Sequence, residues 1–334
     1  MKKIGIIGAH GYSGRELARL LLQHPAAELS AVFTTAAGWN LSDDWVTSAT
    51  EAVTTFSLNE LTEQSRHLDG ICLATPAEVS AELIKNLENY PGFIIDLSGA
   101  FRLNDANFDY GISPWNKKII KNSRRIANPG CYATAALMSL LPLLTIPVIN
   151  PRGIIIDAKS GLSGAGRQAN PANLFCEIYN DFFPYKVDSH AHTPEIKHYC
   201  TELADCPIDF TMINYVLPIH RGIHLTIYAD AADSTLSPEQ TLQTIAAAYD
   251  QAYQHYPLVK HSVYHENKNS LKHLKTVAGS ARTHINYHLS TNKIIIFATI
   301  DNLMKGAASQ AIENINNLLG LPLETGLFSQ EGLL

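Results

Sequence analysis

The chain begins with Lys3–Ile7, a short apolar run, followed by the turn Gly8-Ala9-His10-Gly11-Tyr12-Ser13-Gly14 and the amphipathic stretch Arg15–Gln23. A buried strand, a tight glycine turn and a helix in immediate succession start a parallel crossover. Glycines three apart permit the turn itself, close approach of the backbone to a pyrophosphate, and close packing of helix on strand. The helix start adds unpaired N–H groups and a positive dipole end for the anion. Gly8, Gly11, Tyr12, Ser13 and Gly14 are therefore expected to hold a dinucleotide.

The alternation continues. Leu29–Thr35, Gly70–Ala74, Phe93–Asp96 and Arg125–Ala127 read as strands, and Thr75-Pro76-Ala77-Glu78 as a helix start with Thr75 as cap and Pro76 in the first helical position. Strands separated by helices imply right-handed parallel crossovers, hence an α/β, doubly wound Rossmann-type domain. Near residue 150 the pattern changes. Gly153–Lys159, Phe210–Ile219, His224–Ala231, Lys293–Ile300 and segments near Val263 and Thr276 read as strands, with one long helix from about Ser237 to Tyr256. Runs of strands with few helices predict an α+β second domain with a mixed or antiparallel sheet. A last helical pattern covers Lys305–Leu319.

A length of 334 residues agrees with two domains, and 46% apolar residues exclude a disordered chain. The formal charge of −6 argues against nucleic acid as a partner. The N-terminal apolar run stops at His10, too short for the core of a signal peptide. Cys131–Ile149 carries no charge and is long enough to span a bilayer. Pro142 and Pro147 divide it, so it reads as a buried helix and a turn, and no membrane partner is expected. Five scattered cysteines without a CxxC pair provide neither a disulfide framework nor a zinc site; a reducing cytoplasm and no bound metal are expected.

A few short segments carry the chemistry. The second strand ends Val32-Phe33-Thr34-Thr35 without the acid that would bind a ribose 2′-hydroxyl, so Thr34 and Thr35 favour NADP over NAD. Asn128-Pro129-Gly130-Cys131 follows a strand and opens a helical run, where the dipole stabilises a thiolate and makes Cys131 a nucleophile. The other four cysteines read as packed apolar side chains. Ser189-His190-Ala191-His192-Thr193-Pro194-Glu195 offers two imidazoles and a carboxylate to orient one of them. Ser160–Arg167, rich in glycine and serine, and His220-Arg221-Gly222 are further polar patches suited to an anion. A nicotinamide site with a cysteine nucleophile implies acyl transfer to the thiolate, giving a thioester, and its reduction to an aldehyde.

The sequence resembles the N-acetyl-gamma-glutamyl-phosphate reductases (type 1, semialdehyde dehydrogenase superfamily) along nearly its whole length. The likeness rests on GAHGYSGREL at 8–17, DLSGAFRL at 96–103, NPGCYATA at 128–135, SGLSGAGR at 160–167, SHAHTPEI at 189–196 and IDNLMKGAASQAIENIN at 300–316. It implies NADPH-dependent reduction of N-acetylglutamyl 5-phosphate, a step of arginine biosynthesis, in a cytoplasmic homodimer or homotetramer. Cys131 is then the nucleophile, and His190 or His192 the acid–base residue, with His190 favoured. Arg102, Arg167, Glu195 and Arg221 are expected at the substrate, Arg102 at its phosphate; Ser98, Ser163, Gly164, Asn302 and Lys305 join the cofactor contacts. The implied domains are residues 1–150 with 305–334 for the dinucleotide and 151–304 for catalysis, substrate and oligomerisation. Thr34-Thr35-Ala36, Ala100 and Ala191 depart from the Ser-Arg, acid and arginine common at those places. The alternatives are a related acyl-phosphate reductase, such as an aspartate-semialdehyde dehydrogenase, and a non-redox Cys/His acyltransferase.

Overall fold

In the computed structural model, which describes residues 1–44, 48–103, 107–168, 170–187, 189–266 and 273–328, contacts divide the chain into two units. One is Met1–Gly130 with the segment from Ala307 onward; the other is Cys131–Gly306. The pattern change near 150 thus lies beyond the division, because the helix Cys131–Thr145 packs within the second unit, against the helix His192–Ala204.

The first unit is built on β1 (Lys2–Ile7), β2 (Ala27–Thr34), β3 (Thr54–Ser57), β4 (Gly70–Leu73), β5 (Phe93–Asp96), β6 (Asp109–Tyr110) and β7 (Arg125–Ala127). All pair in parallel, in the order β3-β2-β1-β4-β5-β7-β6. The strand order reverses between β1 and β4, and in such sheets ligands bind beyond the carboxyl ends at the reversal. Gly8 follows one of these strands and Ala74 the other, joined by the bond from the Ala74 amide to the Ile7 carbonyl (2.8 Å). The short strands β3 and β6 escaped sequence reading. Thr75 does not cap the helix Ala77–Asn86; Pro76 takes the cap position, and the Thr75 hydroxyl pairs with that of Ser80 (2.8 Å).

The polar helix Ser309–Leu318 is buried in this unit, with its amides making specific bonds. Gln310 and Asn314 donate to the Gly111 carbonyl (2.9 and 3.0 Å), Asn317 to that of Lys117 (2.7 Å), and Asn316 to those of Leu323 and Thr325. Before it, Met304–Ala308 forms a π-helical turn, where the expected helix from Lys305 is interrupted.

The second unit carries a mixed sheet of β8 (Ile154–Gly161), β9 (Phe183–Tyr185), β10 (Phe210–Leu217), β11 (Ile223–Asp230), β12 (Val259–Val263), β13 (Thr283–Ser290) and β14 (Lys293–Ile300). Its order is β12-β13-β14-β11-β8-β10-β9; β8/β10 and β12/β13 are parallel and the rest antiparallel. The segment at Thr276 is a 3₁₀ turn, Leu274–Thr276, and the strand lies farther on, at β13. The uncharged stretch after Cys131 is a helix buried from Tyr132 to Leu144. Pro142 lacks the N–H that would meet the Met138 carbonyl; Tyr253 donates to that carbonyl instead (2.6 Å), and Tyr249 to that of Ser139 (2.9 Å). Among the described residues no helix is long and apolar enough to cross a membrane.

Candidate active site

In the first unit the glycine turn has the form a pyrophosphate cradle requires. Gly8 has φ +87°, and a Cβ there would be driven into the Ala74 carbonyl; a Cβ on Gly14 would strike the Gly8 carbonyl. Gly11 stands at the N-cap of the helix Tyr12–Leu21 with no side-chain cap, so no side chain of the cap residue covers the helix end, and Tyr12 and Ser13 form its first turn. These residues fit a dinucleotide. At the end of β2 the Thr34 hydroxyl accepts the Ala36 amide (3.0 Å), Thr35 is exposed, and Glu28 at the strand's beginning accepts a bond from Ser30 (2.8 Å).

The chain then reaches Cys131 through a pinned turn. Arg102, expected at a phosphate, is buried and donates to the carbonyls of Asn128 (2.9 Å) and Leu97 (2.8 Å). With Ala100 in place of an acid, the guanidinium bridges backbone at the ends of β5 and β7. Asn128 donates its backbone N–H to the Asp96 carbonyl (2.7 Å) and its side-chain amide to that of Ala307 (3.1 Å), and accepts from Asn314 (3.1 Å). Ser98, expected at the cofactor, donates to the Asp96 carboxylate (2.6 Å). Burial pushes that carboxyl up, opposed by hydrogen bonds from Ser98 and Ser80 and by the charge of Arg102.

In the second unit Cys131 is the first residue of its helix and half-buried, so the dipole acts on the sulfur directly. Tyr132, next along, is packed edge-on by both candidate histidines, with ring centroids 5.2 Å from His190 and 6.0 Å from His192. Tyr185 also meets His190 edge-on (5.8 Å) and donates to the Tyr132 hydroxyl (3.1 Å). Burial raises both phenols, that of Tyr185 to about 12, so both stay protonated. His190 is itself buried; desolvation first, and the charge of Lys186 second, lower it to about 4. Its Nδ1 accepts the His192 amide (3.1 Å), which leaves the proton of the neutral ring on Nε2.

A cavity of about 770 Å³ opens beside His190, lined also by Tyr185, Lys186, Ser160, Gln168 and Asn173. Gly164 borders it, and Arg167 is exposed on the same loop. Other expected contacts serve the framework of this unit. Asn302 donates to Ser163 Oγ (3.0 Å) and accepts the Gly222 amide (2.6 Å). Arg221 is clamped by the fully buried Asp301 (2.6 Å), which also accepts the amides of Gly279, Leu303 and Met304. Lys305 is fully buried and donates to the Tyr256 hydroxyl (2.5 Å). Glu195 is buried in the first turn of the helix His192–Ala204.

Sequence reading missed Lys186, the two tyrosines and Asp301. Tyr132 had a usable signal, its place beside Cys131; the other three depend on partners distant along the chain. Cys72 and Cys200 pack as expected, and burial raises both thiols, Cys72 to about 12. Cys176 is exposed and Cys206 half-buried, contrary to expectation: Cys176 lies in the short helix Phe175–Ile178, whose neighbours Phe175 and Tyr179 are exposed as well. Among the described residues no group of three or more His, Cys, Asp or Glu could hold a metal.

Residues 3–123 match the family described as semialdehyde dehydrogenase, NAD binding domain, and residues 131–302 the one described as semialdehyde dehydrogenase, dimerisation domain. An N-acetyl-gamma-glutamyl-phosphate reductase of Vesicomyosocius okutanii is 35% identical over 100% of both chains. Another, of Lachnospira eligens, is 37% identical over 98% of each. Among solved structures, an aspartate semialdehyde dehydrogenase II of Vibrio cholerae superposes with a TM-score of 0.77 at 16% identity, over 96% of this chain and 98% of that one. The aspartate semialdehyde dehydrogenase of Candida albicans, solved with NADP, gives 0.69 at 14% identity, over 96% and 99%. At such identity these two establish a shared fold.

Proposed function

Because the chain belongs to the N-acetyl-gamma-glutamyl-phosphate reductase family, we propose that it reduces N-acetylglutamyl 5-phosphate to the 5-semialdehyde with release of phosphate. The observation that carries this reading is the placement of Cys131, which opens a buried helix next to Tyr132, the residue on which neutral His190 packs.

The thiolate of Cys131 attacks the acyl carbonyl, and the bond from carbon to phosphate oxygen breaks, leaving a thioester. His190 donates its Nε2–H to the oxyanion that forms during attack, and His192 holds that ring in place through its amide. Gly8, Gly11, Tyr12, Ser13 and Gly14 would hold the dinucleotide, which when bound would supply the hydride that reduces the thioester. Collapse of the resulting thiohemiacetal returns the thiolate to Cys131 and frees the aldehyde. NADPH is the proposed donor, since β2 ends in Thr34 and Thr35 rather than in an acid. We assign the dinucleotide to the first unit, and substrate and self-association to the second, in a cytoplasmic homo-oligomer; five cysteines outside any disulfide suit a reducing compartment.

The test is the reverse assay with NADP, inorganic phosphate and N-acetylglutamate semialdehyde, run beside aspartate semialdehyde. Phosphate-dependent turnover of the acetylated aldehyde is expected. Turnover of aspartate semialdehyde alone would place the enzyme with the aspartyl reductases, and turnover without nicotinamide would make it an acyltransferase.

A further inference from the structure

Among its described lining residues the cavity beside His190 has one charged side chain, Lys186, and no carboxylate. The rest of its polar lining is neutral, with the amides of Gln168, Asn170 and Asn173. Lys186 has φ +46°, a left-handed conformation that is strained for a side chain bearing a Cβ and that glycine or asparagine would fill more readily. It follows β9 directly, and its carbonyl accepts the Ser189 amide (3.1 Å), so the turn that strains it also sets it one step before the histidine segment. An exposed cation held in this conformation on the lining of a cavity of amides is suited to a carboxylate attached to an amide.

The substrate class proposed above has such an end. Its phosphate is joined to the carbon that Cys131 attacks, whereas its α-carboxylate and acetamido group lie together at the other end of the molecule. His190 lines the cavity and Cys131 is not among its described lining residues, so the cavity suits the end of the substrate remote from the carbon that the sulfur attacks. We propose that Lys186 binds the α-carboxylate of the substrate, with the cavity amides receiving the acetamido group; this rests on the functional reading above. Lys186 is thereby a specificity residue, and its charge beside His190 also helps keep that ring neutral.

The reverse reaction separates the two anions, since phosphate and aldehyde are independent substrates. In Lys186→Met of the full chain, the KM for N-acetylglutamate semialdehyde should rise about 10- to 100-fold, as expected for loss of a contact between charged groups. The KM for phosphate and that for NADP should stay within about twofold, inside the scatter of a distant substitution. Lys186→Arg should restore most of the loss. The wild type should discriminate against 4-acetamidobutanal, which lacks the carboxylate, and Lys186→Met should not; this wild-type arm holds even where the variant folds poorly. An unchanged KM for the semialdehyde, a rise confined to phosphate, or equal use of 4-acetamidobutanal by the wild type would overturn the assignment. Wild type inactive on both aldehydes would instead defeat the functional reading.

Discussion

A Cβ placed on Gly306 would lie 2.6 Å from the Cβ of Cys131. The π-helical turn Met304–Ala308, with the bond from the Gly306 amide to the Asp301 carbonyl (2.9 Å), brings backbone against Cys131 where a side chain has no room. Gly306→Ala must therefore displace the start of the Cys131 helix. Misplacement of this order lowers kcat by up to about 100-fold, while NADPH binding, measured by fluorescence titration, should persist. Unaltered kcat would show that the close approach does not set the sulfur's position.

Arg102 bridges the carbonyls of Asn128 and Leu97. Arg102→Ala removes the donor from the buried Asn128 carbonyl, at about 1–3 kcal/mol, and from the partly buried Leu97 carbonyl, at less. A lowered Tm and lowered kcat are expected, with the KM for phosphate in the reverse reaction unchanged. A selective rise in that KM would return Arg102 to the phosphate contact the sequence led us to expect.

Tyr253→Phe removes the donor to the carbonyl that Pro142 strands, the Met138 carbonyl. Urea unfolding should show a loss of about 1–3 kcal/mol, with kcat per folded molecule unchanged. No loss of stability would mean the carbonyl has no need of the phenol.

The contrast between Cys131 and Lys186 shows what the sequence could tell. Cys131, Gly8, Gly11 and Gly14 are placed by local geometry, a turn or a helix start, and such geometry is written in short spacing. Lys186 acquires its meaning from a cavity assembled by segments around 160, 170 and 190, which no spacing reveals. Arg102 and Arg221 misled for a related reason: a guanidinium serves phosphate, backbone carbonyl or buried carboxylate equally well, and Asp301 and Asn128 compete for it. The boundary near 150 tracked the change from helix-rich to strand-rich pattern, but burial of the Cys131 helix decided where contacts divide. β13 was passed over because its polar Thr283, His284 and Asn286 are buried.

Burial lowers His190, His224 and His284 to about 4 each, whereas in an unfolded chain they titrate near ~6.5. Between these values the unfolded chain binds more protons, so stability falls as pH drops from about 6.5 towards 4 and is fully present above that window. The urea midpoint should fall between pH 7 and pH 5. A midpoint that is constant or rises on acidification would mean these rings are not held neutral by the fold.

Covalent catalysis by Cys131 is tested most directly by mixing enzyme with N-acetylglutamyl 5-phosphate in the absence of nicotinamide. The wild type should release about one phosphate per chain in a burst and carry an acetylglutamyl adduct on the Cys131 peptide, readable by mass spectrometry. Cys131→Ser should show neither, yet still bind NADPH. A burst of equal size in Cys131→Ser, or none in a wild type that turns over with NADPH, would contradict a thioester on this residue.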